Sequence, residues 1–177
     1  MTTPSTNSSL PGNATPAQLL YPDMAQEFVS TRRMLAAVPD GNNDWKPHDK
    51  SFTLDRLATH VAELPGFATF IFTTSGLDWA TFKYEAKSAP TTAQRLALFD
   101  EQSAQMKAAI EGADWTTISE TWTMRSGDQI IMKDQKATLI RTMGFSHMAH
   151  HRAQLGVYLR ELGVAVPGMY GPSADEK

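Results

Sequence analysis

The chain has 177 residues, no cysteine and a formal net charge of -3, with 41% hydrophobic residues. That is the size of one domain, long enough to bury a core without covalent staples. The missing cysteines exclude a disulfide scaffold, a thiolate zinc site and a cysteine nucleophile, and the scattered Lys and Arg give no nucleic-acid footprint.

The start, Met1 to Leu10, has neither a basic n-region nor an apolar h-region, so it does not read as a secretory leader. Its Ser, Thr, Pro and Asn composition predicts a mobile tail over residues 1–16. The domain then occupies 17–177. Asn7-Ser-Ser and Asn13-Ala-Thr match the short glycosylation pattern, with nothing else in the chain to support secretion. No apolar run approaches the roughly 20 residues of a bilayer span, and the expected location is the cytoplasm.

Helical spacing predicts a first helix from Ala17 to Val38 with a stripe of Leu20, Met24, Phe28, Leu35 and Val38, ended by Pro39-Asp-Gly-Asn-Asn. After a loop through Trp45, Pro47 and His48, which reads as surface, Thr53 is the N-cap of a second helix running to Thr74. Its stripe is Leu54, Leu57, Val61, Leu64, Ala68 and Ile71, flanked by His60. Pro65-Gly66 implies a kink or a break. A third helix covers Thr91 to Gly112, with Leu96, Phe99, Ser103, Met106 and Ile110 inward. From Trp115 to Lys133 the pattern partly alternates around Arg125-Ser-Gly-Asp128, as either a two-stranded hairpin or an extended connection. The fourth helix runs from Gln135 to Leu162. The expected class is therefore all-α, a four-helix bundle with a longer crossover before the last helix.

The chemistry concentrates in Phe145-Ser-His-Met-Ala-His-His-Arg-Ala-Gln154. His147 and His151 are four apart and share a helix face with Leu139 and Met143, so they point inward. Several buried imidazoles cost free energy unless something satisfies them, and a metal ion does so. His60, on the inner stripe of the second helix, is the candidate third ligand. Three histidines with an open fourth position is the pattern of a catalytic zinc site. Such a site lowers the pKa of bound water toward ~7 or binds a thiolate. Imidazole accepts zinc or nickel most readily here, with iron or manganese also admitted.

Glu63, one turn beyond His60, is either a general base or a surface acid. Arg152 is either a contact for a substrate carboxylate or one half of an ion pair with Glu161 or Asp55. His150 points away from the pair, toward a supporting role or a partner. The plainest alternative is a helical protein whose histidines are satisfied by hydrogen bonds.

The run His147-Met-Ala-His-His-Arg-Ala-Gln-Leu-Gly-Val-Tyr-Leu-Arg160, with Leu162-Gly and Pro167-Gly-Met-Tyr-Gly-Pro-Ser after it, resembles the C-terminal signature of the DinB/YfiT-like superfamily. Leu57-Ala-Thr-His60-Val-Ala-Glu resembles its second-helix motif. The resemblance implies an up-down-down-up four-helix bundle, a divalent metal on His60, His147 and His151, and a homodimer. Some relatives are transferases or isomerases that use a low-molecular-weight thiol. Ser146 stands where many members have asparagine, and Ala153 where many have glycine. The expected function is thus a metal-dependent enzyme acting on a small-molecule substrate, by thiol transfer to an electrophile or by hydrolysis. A thiol would come from solution. The alternative is a non-catalytic metal- or ligand-binding module in stress response.

Overall fold

The computed structural model describes residues 15–176. The predicted N-terminal tail and both glycosylation-like asparagines lie outside them, apart from Thr15 and Pro16. In chain order come α1 (Pro16–Ala36), α2 (Leu54–Thr73), β1 (Gly76–Asp78), α3 (Thr92–Glu111), α4 (Trp115–Ser119), β2 (Thr121–Ser126) and β3 (Gln129–Gln135). The last helical rod has three parts: α5 (Lys136–Leu139), a π-helical segment (Ile140–Ser146) and α6 (His147–Glu161). No helix among the described residues is long and apolar enough to cross a membrane.

The helix starts follow local chemistry. Thr15 and Thr91 each form a reciprocal capping box with a glutamine three residues on, and the Thr53 hydroxyl accepts from the Arg56 amide. α2 continues through Pro65 rather than breaking. The turn after it is hydrogen-bonded, and the Thr69 hydroxyl donates to the Pro65 carbonyl at 2.9 Å.

α1, α3, α2 and α6 form the bundle. α1 and α2 each pack against both α3 and α6, and meet each other only sparsely across the diagonal. α2 is the most deeply embedded, with a broad buried face from Leu54 to Phe72. Two apolar clusters fill the interior. One joins Met34, Leu35, Leu57, Val61, Phe99, Leu155 and Leu159. The other joins Met24, Ile71, Met106, Ile110, Trp122, Leu139 and Ile140.

The hairpin alternative before the last helix is the one realised. β2 and β3 pair antiparallel, with a bulge between Met124 and Arg125 and a turn at Gly127, whose φ is 59°. The sheet has a third strand that periodicity did not reveal. β1 pairs parallel to β2, matching Gly76 to Thr123 and Asp78 to Arg125. Three residues are too few for a strand period to show. The connection from α2 to α3 is therefore a second long crossover beside the expected one. α4 is also additional, one short turn capped by Asp114.

Trp122 fixes the sheet to the bundle. It is fully buried, its indole N–H donates to the Thr74 hydroxyl at 3.0 Å, and its ring meets Phe67 and Phe70 edge-on. Trp122→Ala removes a large core side chain and leaves a cavity at the junction. Its expected cost is about 3–5 kcal/mol, read as a fall in the denaturant midpoint at unchanged slope.

Candidate metal centre

Three contacts show how α2 meets the last rod. A Cβ placed on Gly144 would lie 3.3 Å from the Ala68 Cβ, so the backbones approach closely there. Moving forward to His147 brings the contact back along α2 to His60, with ring centroids 5.2 Å apart. Further on, the Tyr158 hydroxyl donates to the Phe52 carbonyl at 3.0 Å. The helices are antiparallel, and the imidazoles sit midway between their two anchor points.

His60, His147 and His151 each offer a ring nitrogen, and these atoms lie within 4.8 Å of one another. The structure thus brings together all three predicted ligands, two from one helix and one from its neighbour. His147 Nε2 and His151 Nε2 are 2.9 Å apart. Two imidazole nitrogens on one ion at ~2.0–2.1 Å stand roughly 2.8–3.4 Å apart for octahedral to tetrahedral angles, a range that includes this separation. The His60 and His151 centroids are 4.7 Å apart. Phe52 leans on both rings, at 6.4 and 6.5 Å.

The donor chemistry fits a metal. His151 Nδ1 meets Gln154 Oε1 at 2.7 Å. With Gln154 accepting, the proton sits on Nδ1 and the Nε2 lone pair faces the cluster, which is the usual arrangement around a histidine ligand. His147 Nδ1 is buried without a well-formed hydrogen bond, and the Met143 carbonyl one turn earlier only partly offsets that burial. Burial holds all three rings neutral. It pushes His60 down to about 4, helped by the neighbouring His151, His147 and Arg56, and it also lowers His147 and His151. A neutral imidazole is the form that binds metal.

The other candidates fall in different places. His48 is exposed, accepting from the Lys50 amide, as expected. His150 is exposed, outside the ligand group, and stacks edge-on against His151 at 4.9 Å. Arg152 is turned away from the histidines and is 1% exposed. It pairs with Glu27 at 2.7 Å and donates to the Thr31 hydroxyl and the Tyr170 hydroxyl. The structural ion pair is therefore what Arg152 makes, with Glu27 on α1 rather than with Glu161 or Asp55, and it has no access to a substrate carboxylate. Through Tyr170 this pair also docks the segment after α6 onto α1.

Glu63 lies on the wall of a cleft of about 510 Å³ that opens beside His60 and His147. Its Oε2 accepts from Arg56 at 3.0 Å and from the Tyr84 hydroxyl at 3.3 Å. Arg56 also donates to the Tyr84 oxygen, which closes a three-membered network. Burial and the Glu63 charge push the Tyr84 phenol up, so it stays protonated and able to donate. Neither Arg56 nor Tyr84 stood out in the sequence. Arg56 is an ordinary first-turn residue, and Tyr84 comes from a loop with no period.

Over residues 11–177 the chain matches the model of the DinB family. It is 27% identical over 152 residues to the uncharacterized protein YrdA of Bacillus subtilis (strain 168), covering 85% of each chain. Two solved structures share the fold. A DinB-like protein from Bacillus cereus ATCC 10987 has a TM-score of 0.63 at 18% identity, covering 85% of this chain and 95% of that one. The DinB-like protein YjoA from Bacillus subtilis has a TM-score of 0.62 at 15% identity, covering 81% and 92%.

Two outcomes are expected. In the metal-free protein the histidine cluster favours the neutral form, so the unfolded chain binds more protons than the folded one between their pKa values. Stability present above pH ~6.5 is then lost as the pH falls through about 4. Melting temperatures taken across that window should decline, and His60→Gln should flatten the decline. Arg152→Ala removes the cation from Glu27 and one of the two partners of the Tyr170 hydroxyl. It should cost roughly 2 kcal/mol in chemical denaturation while leaving metal stoichiometry unchanged.

Proposed function

Because the chain belongs to the DinB family and folds three histidines onto one point, we propose that it is a divalent-metal-dependent enzyme acting on a small molecule held in the adjoining cleft. The observation that carries this reading is the convergence of the His60, His147 and His151 nitrogens within 4.8 Å at the margin of that cleft. His151 is not part of the cleft wall, whereas His60 and His147 are. An ion on all three would thus have a protein-covered side and a side open to a ligand, as catalytic sites require. Zinc or nickel suits three imidazoles best. Bound there, the ion would supply Lewis acidity, polarising a substrate oxygen or sulfur.

The chain's own groups define the remaining roles. Glu63 is a half-buried carboxylate on the wall, placed to take the proton of an attacking water or thiol. Arg56 holds that carboxylate in position. Tyr84, kept protonated, can donate to an oxygen that gains charge. With no cysteine in the chain, a thiol nucleophile is a second substrate of low molecular weight. The reaction is either transfer of that thiol to an electrophile or hydrolysis. Homodimer formation belongs to the same reading, supported by the exposed Val29 and Val157 on the neighbouring helices α1 and α6.

Metal analysis of the protein purified without chelator, beside a His147→Ala, His151→Ala double variant, tests the first half. Stoichiometric metal in the native protein, lost in the variant, is expected, and equal negligible metal in both defeats the reading. A panel of thiols with electrophiles and of hydrolysable esters and amides then tests catalysis. Glu63→Gln should lower the metal-dependent rate about 100-fold at unchanged metal content, and an unchanged rate would remove Glu63 as the base.

A further inference from the structure

The cleft beside the histidines has one wall unlike the rest of the surface. The segment after β1 places Trp79, Phe82 and Tyr84 side by side, each more than two-fifths exposed. Trp79 meets Phe82 at 5.8 Å and Tyr84 at 6.4 Å, both edge-on, and Phe82 continues to Phe70 on α2 at 5.9 Å. Four rings thus form a continuous chain along the cleft. Exposed aromatic residues in contact with one another are costly unless they serve a ligand or partner.

The segment is held to α2 at several points. The Ala89 amide donates to the buried Thr59 hydroxyl at 3.1 Å, and Ser88 donates to Asp55. Tyr84 is tied to Arg56 and Glu63. The Trp79 amide donates to the Arg125 carbonyl at 2.8 Å. The rings are therefore presented on an anchored wall. Leu77, Met124 and Met143 add apolar lining to the cleft. Two methionines offer a polarisable, adaptable surface to an aromatic guest. The cleft volume suits a small organic molecule.

Charge narrows the guest further. The ionised groups on the walls are Arg56, Glu63 and Lys87. Glu63 is taken by Arg56, and Lys87 has no acidic partner among the described residues. Two cations against one carboxylate leave the walls with a net positive charge, and a bound divalent ion would add to it.

We propose that the cleft selects a planar aromatic substrate that is uncharged or anionic and excludes cationic ones, the ring lying along Trp79, Phe82 and Phe70 with its reacting group toward His60 and His147. This deepens the enzyme reading above and rests on it for the word substrate, while ring binding itself needs no metal.

Calorimetric titration of the metal-free and metal-loaded protein with four probes of similar size tests it: 2-naphthol, 2-naphthoate, 2-naphthylmethylammonium and the saturated alcohol 2-decalol. Naphthol and naphthoate should bind both forms. The ammonium and the decalol should each bind at least tenfold more weakly. A Trp79→Ala, Phe82→Ala double variant, whose metal content and melting curve show it folded, should lose at least tenfold in naphthol affinity. Equal affinity for all four probes, no binding, or an unaffected double variant would overturn the proposal. Naphthol binding by a protein that takes up no metal would uphold the aromatic wall and defeat only the metalloenzyme reading.

Discussion

Everything in this molecule depends on how closely α2 can lie against the last helical rod. Gly144 has no side chain and faces Ala68, the smallest side chain available. That contact lets two helices approach until imidazoles from both meet over a few ångströms. A larger residue at either position would hold the helices apart, and His60 could not share a point with His147 and His151. The three rings have no acid among them to pair with, so in a half-buried setting they remain neutral by exclusion of charge. Neutral imidazole is the form in which histidine binds a cation.

The same helix separates two environments. Along one side of α2, Leu54, Leu57 and Val61 belong to the apolar core. Along another, Glu63, Phe67 and Phe70 face the cleft. The three-stranded sheet roofs the far end, with Trp122 as its fastening and Leu77 and Met124 as its contribution to the wall. The sheet, although small, converts a helix surface into a concavity. A bundle of four helices alone would leave the histidines on an open groove.

Much of this was legible in the sequence, because it rests on local chemistry. The threonine caps at Thr53 and Thr91 mark helix starts through hydrogen bonds to residues three positions away, and the spacing of His147 and His151 is a property of one helix. His60 was reachable because it flanks a clean apolar stripe. The parts that escaped depend on distance. Glu27, which neutralises Arg152, is 125 residues away from it, and of the two acids weighed for that arginine Asp55 lies beside Arg95 instead. β1 is too short to carry a period and exists because β2 offers it an edge. Tyr84 and Trp79 come from a segment with no regular structure, and neither stood out in the sequence.

The π-helical segment has a consequence for how such a chain can change over time. A π turn holds one residue more than an α turn, so Ile140 to Ser146 fits an extra residue between two α-helical stretches. Every residue of a straight helix is rotated by about 100° from the one before it. Loss of a single residue in this stretch would therefore close the bulge into ordinary α turns and keep Leu139 and the face bearing His147 and His151 in phase, whereas loss of one between His147 and His151 would change their spacing. The reading frame of the rod's rotation is locked on both sides of the bulge. Point substitutions in the cleft leave that frame intact, and so does a one-residue shortening within the bulge, so the rotation of the histidine face tolerates there a change in length that it would not tolerate between His147 and His151.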